Sequence, residues 1–282
     1  MPIPVVHTVS ELRNMLAQAK LAERTIGFVP TMGALHAGHA ELIRTASGLT
    51  TFVVVSVFVN PTQFGPKEDF GKYPRTLEQD TLLSEEAGAD LIFAPTAAEV
   101  YPPGSVTYVE VPGLDEVLCG PRRPGHFRGV CTVVLKLFNM VQPDMAVFGA
   151  KDAQQAIILL KMVKDLNVPV KMVIAPTVRE PDGLAMSSRN RYLSAEERGL
   201  APMIHAELQK TEARIRGGEC DVGRLESALL AGLEAIPGAR VDYASVVESE
   251  NLKPIQRING PVLVAVAVFL GSTRLIDNVM VG

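Results

Sequence analysis

Two histidines, His36 and His39, flank a glycine in the run Pro30-Thr31-Met32-Gly33-Ala34-Leu35-His36-Ala37-Gly38-His39. Apolar residues 26–29 precede the run, and a helical pattern through Ala40, Leu42, Ile43 and Ala46 follows it. A strand that stops, turns through glycine and starts a helix sets backbone N–H groups at the positive end of a helix dipole, where phosphate is favoured. Glycine admits a ligand close to the backbone, and imidazoles donate hydrogen bonds to oxygens that gain charge. Such turns are common in α/β proteins, so this run alone outlines a nucleotide site and no more.

Three further groups follow strands or turns. Asn60-x-x-Gln63 is the first, Gly149-Ala150-Lys151-Asp152-x-x-Gln155 the second, and Met186-Ser187-Ser188-Arg189-Asn190 the third. Amides suit a carboxylate that must attack phosphorus, because arginine would hold it strongly and blunt it, whereas Gln63 and Gln155 can orient a hydroxy acid without neutralising it. Lys151 is unfavourable at a helix start unless an anion faces it. Serine hydroxyls, backbone N–H groups and a guanidinium in one turn make a clamp for a triphosphate. Taken singly, Gln63, Gln155 and the serine-rich turn read as ordinary solvated loop or helix surface, while for Lys151 an anionic partner is the better explanation.

The surrounding pattern supplies elements to carry them. Thr8-Val9-Ser10-Glu11 has capping-box spacing, and Leu12, Met15, Leu16 and Ala19 recur helically after it, so a first helix is expected ahead of the first strand. Residues 52–59 are almost continuously apolar and β-branched, which marks a strand covered on both faces and hence a parallel sheet. A long loop is expected from Asn60 to Pro74 and a helix over about 75–87. Strands are expected at 91–93, 106–111, 146–148 and 170–174, with helices beginning at His126 and after Asp152. Residues 120–125, with Arg122 and Arg123, read as a mobile loop. Alternating strands and helices predict a doubly wound, Rossmann-like α/β domain. Beyond Pro176, helices over about 195–217 and 221–236 precede strands at 241–247, 262–270 and 275–279, which read as an antiparallel sheet. The expected division is 1–176 as catalytic domain and 177–282 as a smaller α+β lid, with the serine-rich loop at the hinge.

The 282 residues are 47% apolar, enough for real cores, and the net charge of −4 argues against holding nucleic acid through its phosphates. Cys119, Cys131 and Cys220 are widely spaced and odd in number, which fits a reducing cytoplasm. Residues 1–20 lack an export pattern, and the longest apolar runs are about half a membrane span, so neither export nor membrane insertion is expected.

In combination the motifs resemble the pantothenate synthetases (pantoate–β-alanine ligases) of the His-x-Gly-His nucleotidyltransferase superfamily. The likeness runs from Phe28 to Leu193. It rests on residues 30–39, Phe58-Val59-Asn60-Pro61-Thr62-Gln63-Phe64, Tyr73-Pro74-Arg75-Thr76, Gly125-His126-Phe127-Arg128-Gly129-Val130, residues 148–155, and residues 179–190. The last of these is similar to the superfamily's Lys-Met-Ser-Lys-Ser loop. Ala37 and Ala150 fill variable places, and the C-terminal part is assigned by position and length.

The resemblance implies ATP-dependent condensation of (R)-pantoate with β-alanine through a pantoyl adenylate, giving pantothenate, AMP and pyrophosphate. Carried over by position, Met32, Gly33, Ala34, Leu35, His36, Ala37, Gly38, His39, Gly149, Ala150, Lys151, Asp152, Val178, Met186, Ser187, Ser188 and Arg189 contact ATP. Gln63 and Gln155 hold pantoate, Gln63 lies near β-alanine, and Asn60 belongs to the same group. His39 maps onto the family's proton donor. His36 and His39 are expected to act as neutral donors, with Lys151 and Arg189 stabilising the same charge. Mg²⁺ accompanies the polyphosphate without a dedicated protein cage, and the family implies a homodimer. Arg122, Arg123, His126 and Arg128 could hold a loop or touch substrate. The rivals are an adenylyltransferase acting on a phosphorylated substrate, which would need more basic residues, and a nucleotide-binding or RNA-binding regulatory module, disfavoured by the four catalytic-type motifs and by the lack of aromatic–basic interleaving.

Overall fold

The computed structural model describes residues 2–65, 68 and 70–282. The first part of the chain runs β1 (Val5–Val6), α1 (Val9–Leu21), β2 (Ile26–Thr31), α2 (Ala37–Leu49), β3 (Phe52–Val57), α3 (Leu77–Glu86), β4 (Leu91–Phe93), α4 (Ala97–Val100), α5 (His126–Val141), β5 (Met145–Gly149), α6 (Ala153–Asp165) and β6 (Lys171–Ala175). Its strands form one parallel sheet in the order β1-β4-β3-β2-β5-β6. Consecutive Val53, Val54 and Val55 are all buried, as strands covered by helices on both faces require. Chain order reverses at β2, which has β3 on one side and β5 on the other. In open α/β sheets the crevice at the carboxyl ends of the strands flanking such a reversal is where ligands bind. The His-x-Gly-His turn leaves β2 there, and Gly149 ends β5.

The remaining elements are α7 (Ala195–Leu200), α8 (Pro202–Arg216), α9 (Val222–Glu234), β7 (Ala239–Glu248), β8 (Val262–Leu270) and β9 (Thr273–Val281). β7, β8 and β9 make an antiparallel sheet with β8 in the middle. Alternate residues Val262, Val264, Val266 and Val268 pack with Ile204 and Leu208 of α8 and Leu225, Leu229 and Leu233 of α9. This period-two face meeting two helical stripes is the core of the smaller sheet.

The chain divides into two compact units. The first comprises Met1–Pro112, Arg123–Ala150 and Ile158–Pro176, and the second Gly113–Arg122, Lys151–Ile157 and Thr177–Gly282. A single cut near Thr177 therefore separates only the last stretch, because two short segments from within the first 176 residues join the second unit.

The capping box forms as expected. Thr8 Oγ1 accepts the Glu11 amide at 3.2 Å, and Glu11 accepts the Thr8 amide at 2.9 Å. Four other expectations are corrected. A two-residue strand, β1, precedes the first helix; it is too short to leave a period in the sequence. Residues 106–111 are not a strand, for the Val109 amide donates to Thr132 Oγ1 on α5 and, among the described residues, no strand pairs with them. The helix expected over 195–217 breaks at Pro202, which has no N–H to give and starts α8. Residues 120–122 form a 3-10 turn, and both arginines of the loop expected to be mobile are held in ion pairs. The expected loop from Asn60 to Pro74 contains 3-10 turns at Pro61–Gln63 and Phe70–Lys72, while Pro66, Lys67 and Asp69 lie outside the described residues.

Candidate active site

At the end of β2 the backbone enters the left-handed region twice, at Gly33 (φ 81°) and Ala34 (φ 51°). A Cβ on Gly33 would stand 2.9 Å from Asp80 Oδ2 and 3.0 Å from Val57, so the turn is built for glycine. Asp80, on α3 and 1% exposed, holds this shape. Its Oδ2 accepts the Ala34 amide at 3.0 Å, its Oδ1 the Leu35 amide at 2.7 Å, and Thr76 Oγ1 adds a third bond at 3.2 Å. Thr31 Oγ1 accepts the Gly33 amide and donates to the Ser56 carbonyl, fastening the turn to β3.

His36 is the N-cap of α2, and its Nδ1 accepts the Gly38 amide at 3.1 Å. His39 Nδ1 in turn accepts the His36 amide at 3.3 Å, so the pair forms a reciprocal box in which imidazoles do the work usually given to serine and glutamate. A nitrogen that accepts a backbone N–H carries no proton. In each neutral ring the proton is therefore on Nε2, which gives the start of α2 two ring N–H donors. The rings lie 4.2 Å apart between centroids.

Asn60 and Gln63 sit in the turn after β3. Asn60 is 1% exposed and Gln63 8%. Asn60 Nδ2 donates to Gln63 Oε1 at 3.0 Å and to the Gly129 carbonyl at 3.1 Å, while its Oδ1 accepts Tyr101 Oη at 2.9 Å and Thr62 Oγ1 at 2.9 Å. Asn60 thus fixes the rotamer of Gln63, whose Nε2 rests 3.1 Å from Met32 Sδ. Burial raises the Tyr101 phenol above its ordinary range, which keeps it a proton donor to Asn60. Gly129 of α5 permits this approach, because a Cβ there would lie 2.5 Å from the Thr62 carbonyl oxygen.

His126 and Arg123 complete the support of Gln63. Arg123 grips Glu68 with two bonds, 2.8 and 2.6 Å, and its Nη1 lies 2.9 Å from His126 Nε2. Since the guanidinium can only donate, His126 Nε2 accepts, and Nδ1–H donates to the Gln63 carbonyl at 2.9 Å. Burial alone would raise the Glu68 carboxyl, but the Arg123 bonds hold it below its usual value. Arg128 stacks on Tyr108 at 4.9 Å and pairs with Glu110.

In the second unit, Lys151 lies in a 3-10 turn, Ala150–Asp152, ahead of α6. Gln154 is buried and spends its carboxamide on residues 114–119, donating to Leu114 and Val117 carbonyls and accepting the Cys119 amide. Its neighbour Gln155 is partly exposed. Arg122 pairs with Asp242 at 2.7 Å. Val178 and Met186 face each other across a tight hairpin through a 3.0 Å bond from the Met186 amide to the Val178 carbonyl. Ser187 caps the following turn by accepting the Arg189 amide, and Asn190 Nδ2 ties the loop back to Glu180 at 2.9 Å and to the Ala185 carbonyl at 3.1 Å. Arg198 secures the hairpin by gripping Asp182 and Glu180. These bonds pull the Asp182 carboxyl below its usual value.

Sequence reasoning passes over Asp80, Tyr101, Gln154, Asp277 and Asn278. A lone aspartate among the helical positions of α3 is a weak signal for the first, and the others leave none.

The chain matches the Pantoate-beta-alanine ligase family over residues 4–280. It is 51% identical to the pantothenate synthetase of Pelotomaculum thermopropionicum, with 99% of each chain covered, and 51% identical to that of Moorella thermoacetica, with 98% of each covered. Among solved structures, pantoate-beta-alanine (pantothenate synthetase) from Thermus thermophilus superposes with a TM-score of 0.93 at 47% identity, covering 98% of this chain and 99% of that one. A pantoate-beta-alanine ligase from Francisella tularensis complexed with beta-gamma ATP and beta-alanine has a TM-score of 0.78 at 32% identity, covering 99% and 97%.

Proposed function

Since this chain belongs to the pantoate-beta-alanine ligase family and serves pantothenate biosynthesis, we propose that it joins its substrates in two steps on the residues described above. In the first, a carboxylate oxygen of (R)-pantoate attacks the α-phosphorus of ATP, and pyrophosphate leaves with its bonding electron pair. In the second, the amine of β-alanine attacks the acyl carbon, AMP leaves, and the amine loses a proton. Support for ATP and β-alanine as ligands comes from the Francisella relative, which is described with both compounds.

The single observation that carries the reading is the pair of imidazoles at the start of α2. Each Nδ1 accepts a backbone N–H, so each neutral ring carries its proton on Nε2 beside a helix N-terminus, a donor chemistry suited to phosphate oxygens that gain charge as pyrophosphate departs. His39 is assigned as the proton donor and His36 as its partner. Residues 32–39, Gly149, Ala150, Lys151, Asp152, Val178, Met186, Ser187, Ser188 and Arg189 are assigned to ATP, with Lys151 and Arg189 as the cations. Gln63 and Gln155 are assigned to pantoate, and Asn60 acts by orienting Gln63. Mg²⁺ enters as part of the MgATP substrate. Among the described residues no cluster of three or more His, Cys, Asp or Glu side chains is arranged to hold a metal.

A homodimer is part of the same proposal, with the exposed Val106 and Tyr108 in its support as an apolar self-contact. Among the described residues no helix is long and apolar enough to cross a membrane. Free thiols at Cys119 and Cys220 support the reducing cytoplasm as its compartment.

The test is pantoate-dependent ATP–pyrophosphate exchange, with other hydroxy acids as controls and pantoate labelled with heavy oxygen in its carboxylate. Label appearing in AMP supports the adenylate. Recovery of all label in pantothenate, or cleavage of ATP to ADP, removes it.

A further inference from the structure

We propose that the adjacent residues Asp277 and Asn278 of β9 position the ATP-binding residues of the second unit, one side chain fixing the backbone of Lys151 and the other the hairpin that leads into Ser187, Ser188 and Arg189. The proposal rests on the assignment of those residues to ATP given above.

Asn278 Nδ2 donates to the main-chain carbonyl of Lys151 at 2.9 Å. A 3-10 turn bonds its carbonyls less well than an α-helix, so an outside donor on the Lys151 carbonyl sets the position of that backbone. Lys151 is thereby placed by its main chain, while its ammonium group lies 4.0 Å from the Asp152 carboxylate.

Asp277 faces the other segment. Its Oδ2 takes Arg179 Nη1 at 2.7 Å and its Oδ1 takes Nη2 at 3.0 Å, a two-pronged pair that fixes the plane of the guanidinium. The same Nη1 donates to the Gly183 carbonyl at 3.1 Å, so the guanidinium spans the hairpin from its arm to its turn. Gly183 has φ 96°, and a Cβ there would meet His205 at 3.3 Å. Arg179 pairs with Ala185, and the next step along the hairpin brings Val178 against Met186, immediately before Ser187. Asp277 is thus one residue pair away from the start of the serine-rich loop.

The two side chains share one rigid support. Asp277 pairs with Val266 and Asn278 with Ala265 on β8, whose residues are almost all buried. Asp277 is 5% exposed and Asn278 8%. The Asn278 amide also donates to Asp277 Oδ1 at 2.7 Å, which joins the two anchors. Geometry is the reason this matters for turnover. A misplacement of about 1 Å far from the chemistry can cost on the order of 100-fold in rate.

The experiment uses the full chain with Asn278→Ala, Asp277→Asn and the milder Arg179→Lys, which keeps charge but loses the fork. Hydrogen–deuterium exchange, KM for ATP and for β-alanine, kcat and thermal midpoint are measured on each. Asn278→Ala is expected to speed exchange in peptides covering 150–155, and Asp277→Asn and Arg179→Lys in peptides covering 178–190. Each should raise KM for ATP about tenfold, with KM for β-alanine within about twofold, as for interactions spent on one substrate. Unchanged exchange in those peptides overturns the proposal. So does a loss that lowers kcat and the thermal midpoint together while KM for ATP stays at the parent value. Lys151→Ala is measured alongside: if it keeps parental KM for ATP and adenylation, the assignment of Lys151 fails, while the exchange data still decide the role of Asp277 and Asn278.

Discussion

The carboxylate of Asp80 holds the amide of Leu35 at 2.7 Å across a separation of 45 residues, and the second oxygen holds Ala34. A helix that contributes no side chain to the assigned ATP contacts therefore sets the backbone that begins them. Replacing Asp80 by Asn turns one acceptor into a donor facing a backbone N–H. The expected loss is about 1–3 kcal/mol of stability, the usual range for a buried polar group left without its partner. Pantoate-dependent exchange should fall about tenfold at subsaturating ATP, and chemical denaturation with exchange assays would measure both. Parental activity in Asp80→Asn would remove this residue from the account of the turn.

Helix capping at His36 and the hydrogen bond proposed for its ring N–H can be separated. Asparagine caps well, so His36→Asn should keep stability within about 1 kcal/mol of the parent. The same variant lacks the Nε2–H and should lose adenylation by about 100-fold, the scale of one preorganised donor. His39→Ala should lose a similar amount with the fold intact by circular dichroism. Rapid-quench measurement of adenylate decides, and a parental rate in either variant excludes that ring.

Gly129→Ala puts a methyl group 2.5 Å from the Thr62 carbonyl oxygen, a backbone atom that cannot swing aside. Overpacking of this kind costs about 1–3 kcal/mol. Because the displaced turn carries Gln63, KM for pantoate should rise more than KM for ATP in steady-state kinetics. An equal change in both would place the effect elsewhere.

His205 gives the second unit an acid-sensitive element. Burial first, and then the charge of Arg179, lower its pKa from the usual 6.5, while Asp277 and Glu212 pull the other way. With the folded pKa below the unfolded one, the stabilising contribution is complete above pH 6.5. It is lost as pH falls through the folded value, because the unfolded chain takes up the proton more readily. The thermal midpoint should therefore drop between neutral pH and pH 5 with a slope that His205→Gln flattens. A slope unchanged by the substitution would assign the acid response to other groups.

Much of this molecule is legible in its sequence because the signals are local. The β-branched run through Val53, Val54 and Val55 reads as a strand covered on both faces, and His36, Gly38 and His39 lie between an apolar run and a helical pattern, which reads as a strand-to-helix turn. What stays hidden depends on partners distant in sequence. Asp80 bonds main-chain amides, which have no residue identity to pattern against. Asp277 and Asn278 look like polar positions of an edge strand, since alternation reports a face and not a partner. Residues 106–111 have every local property of a strand, but a ladder needs a neighbour, and Thr132 takes the Val109 amide instead. Asn60 reads as a substrate contact because its side chain fits that chemistry. Its bonds to Gln63, Gly129, Thr62 and Tyr101, which hold Gln63 in place, join partners far apart in the chain.

The reciprocal imidazole box at the start of α2 also bears on how this turn can change over generations. The atoms that cap the helix are the ones that fix where each ring keeps its proton, so folding and the proposed chemistry meet at the same two nitrogens. Asparagine arriving at position 36 would leave the cap in place and, on the role proposed for the ring, remove the donor. Alanine would be penalised on both counts. Degenerate copies of such a chain should therefore lose activity while still folding, and the first scar to look for is a cap that works without a ring.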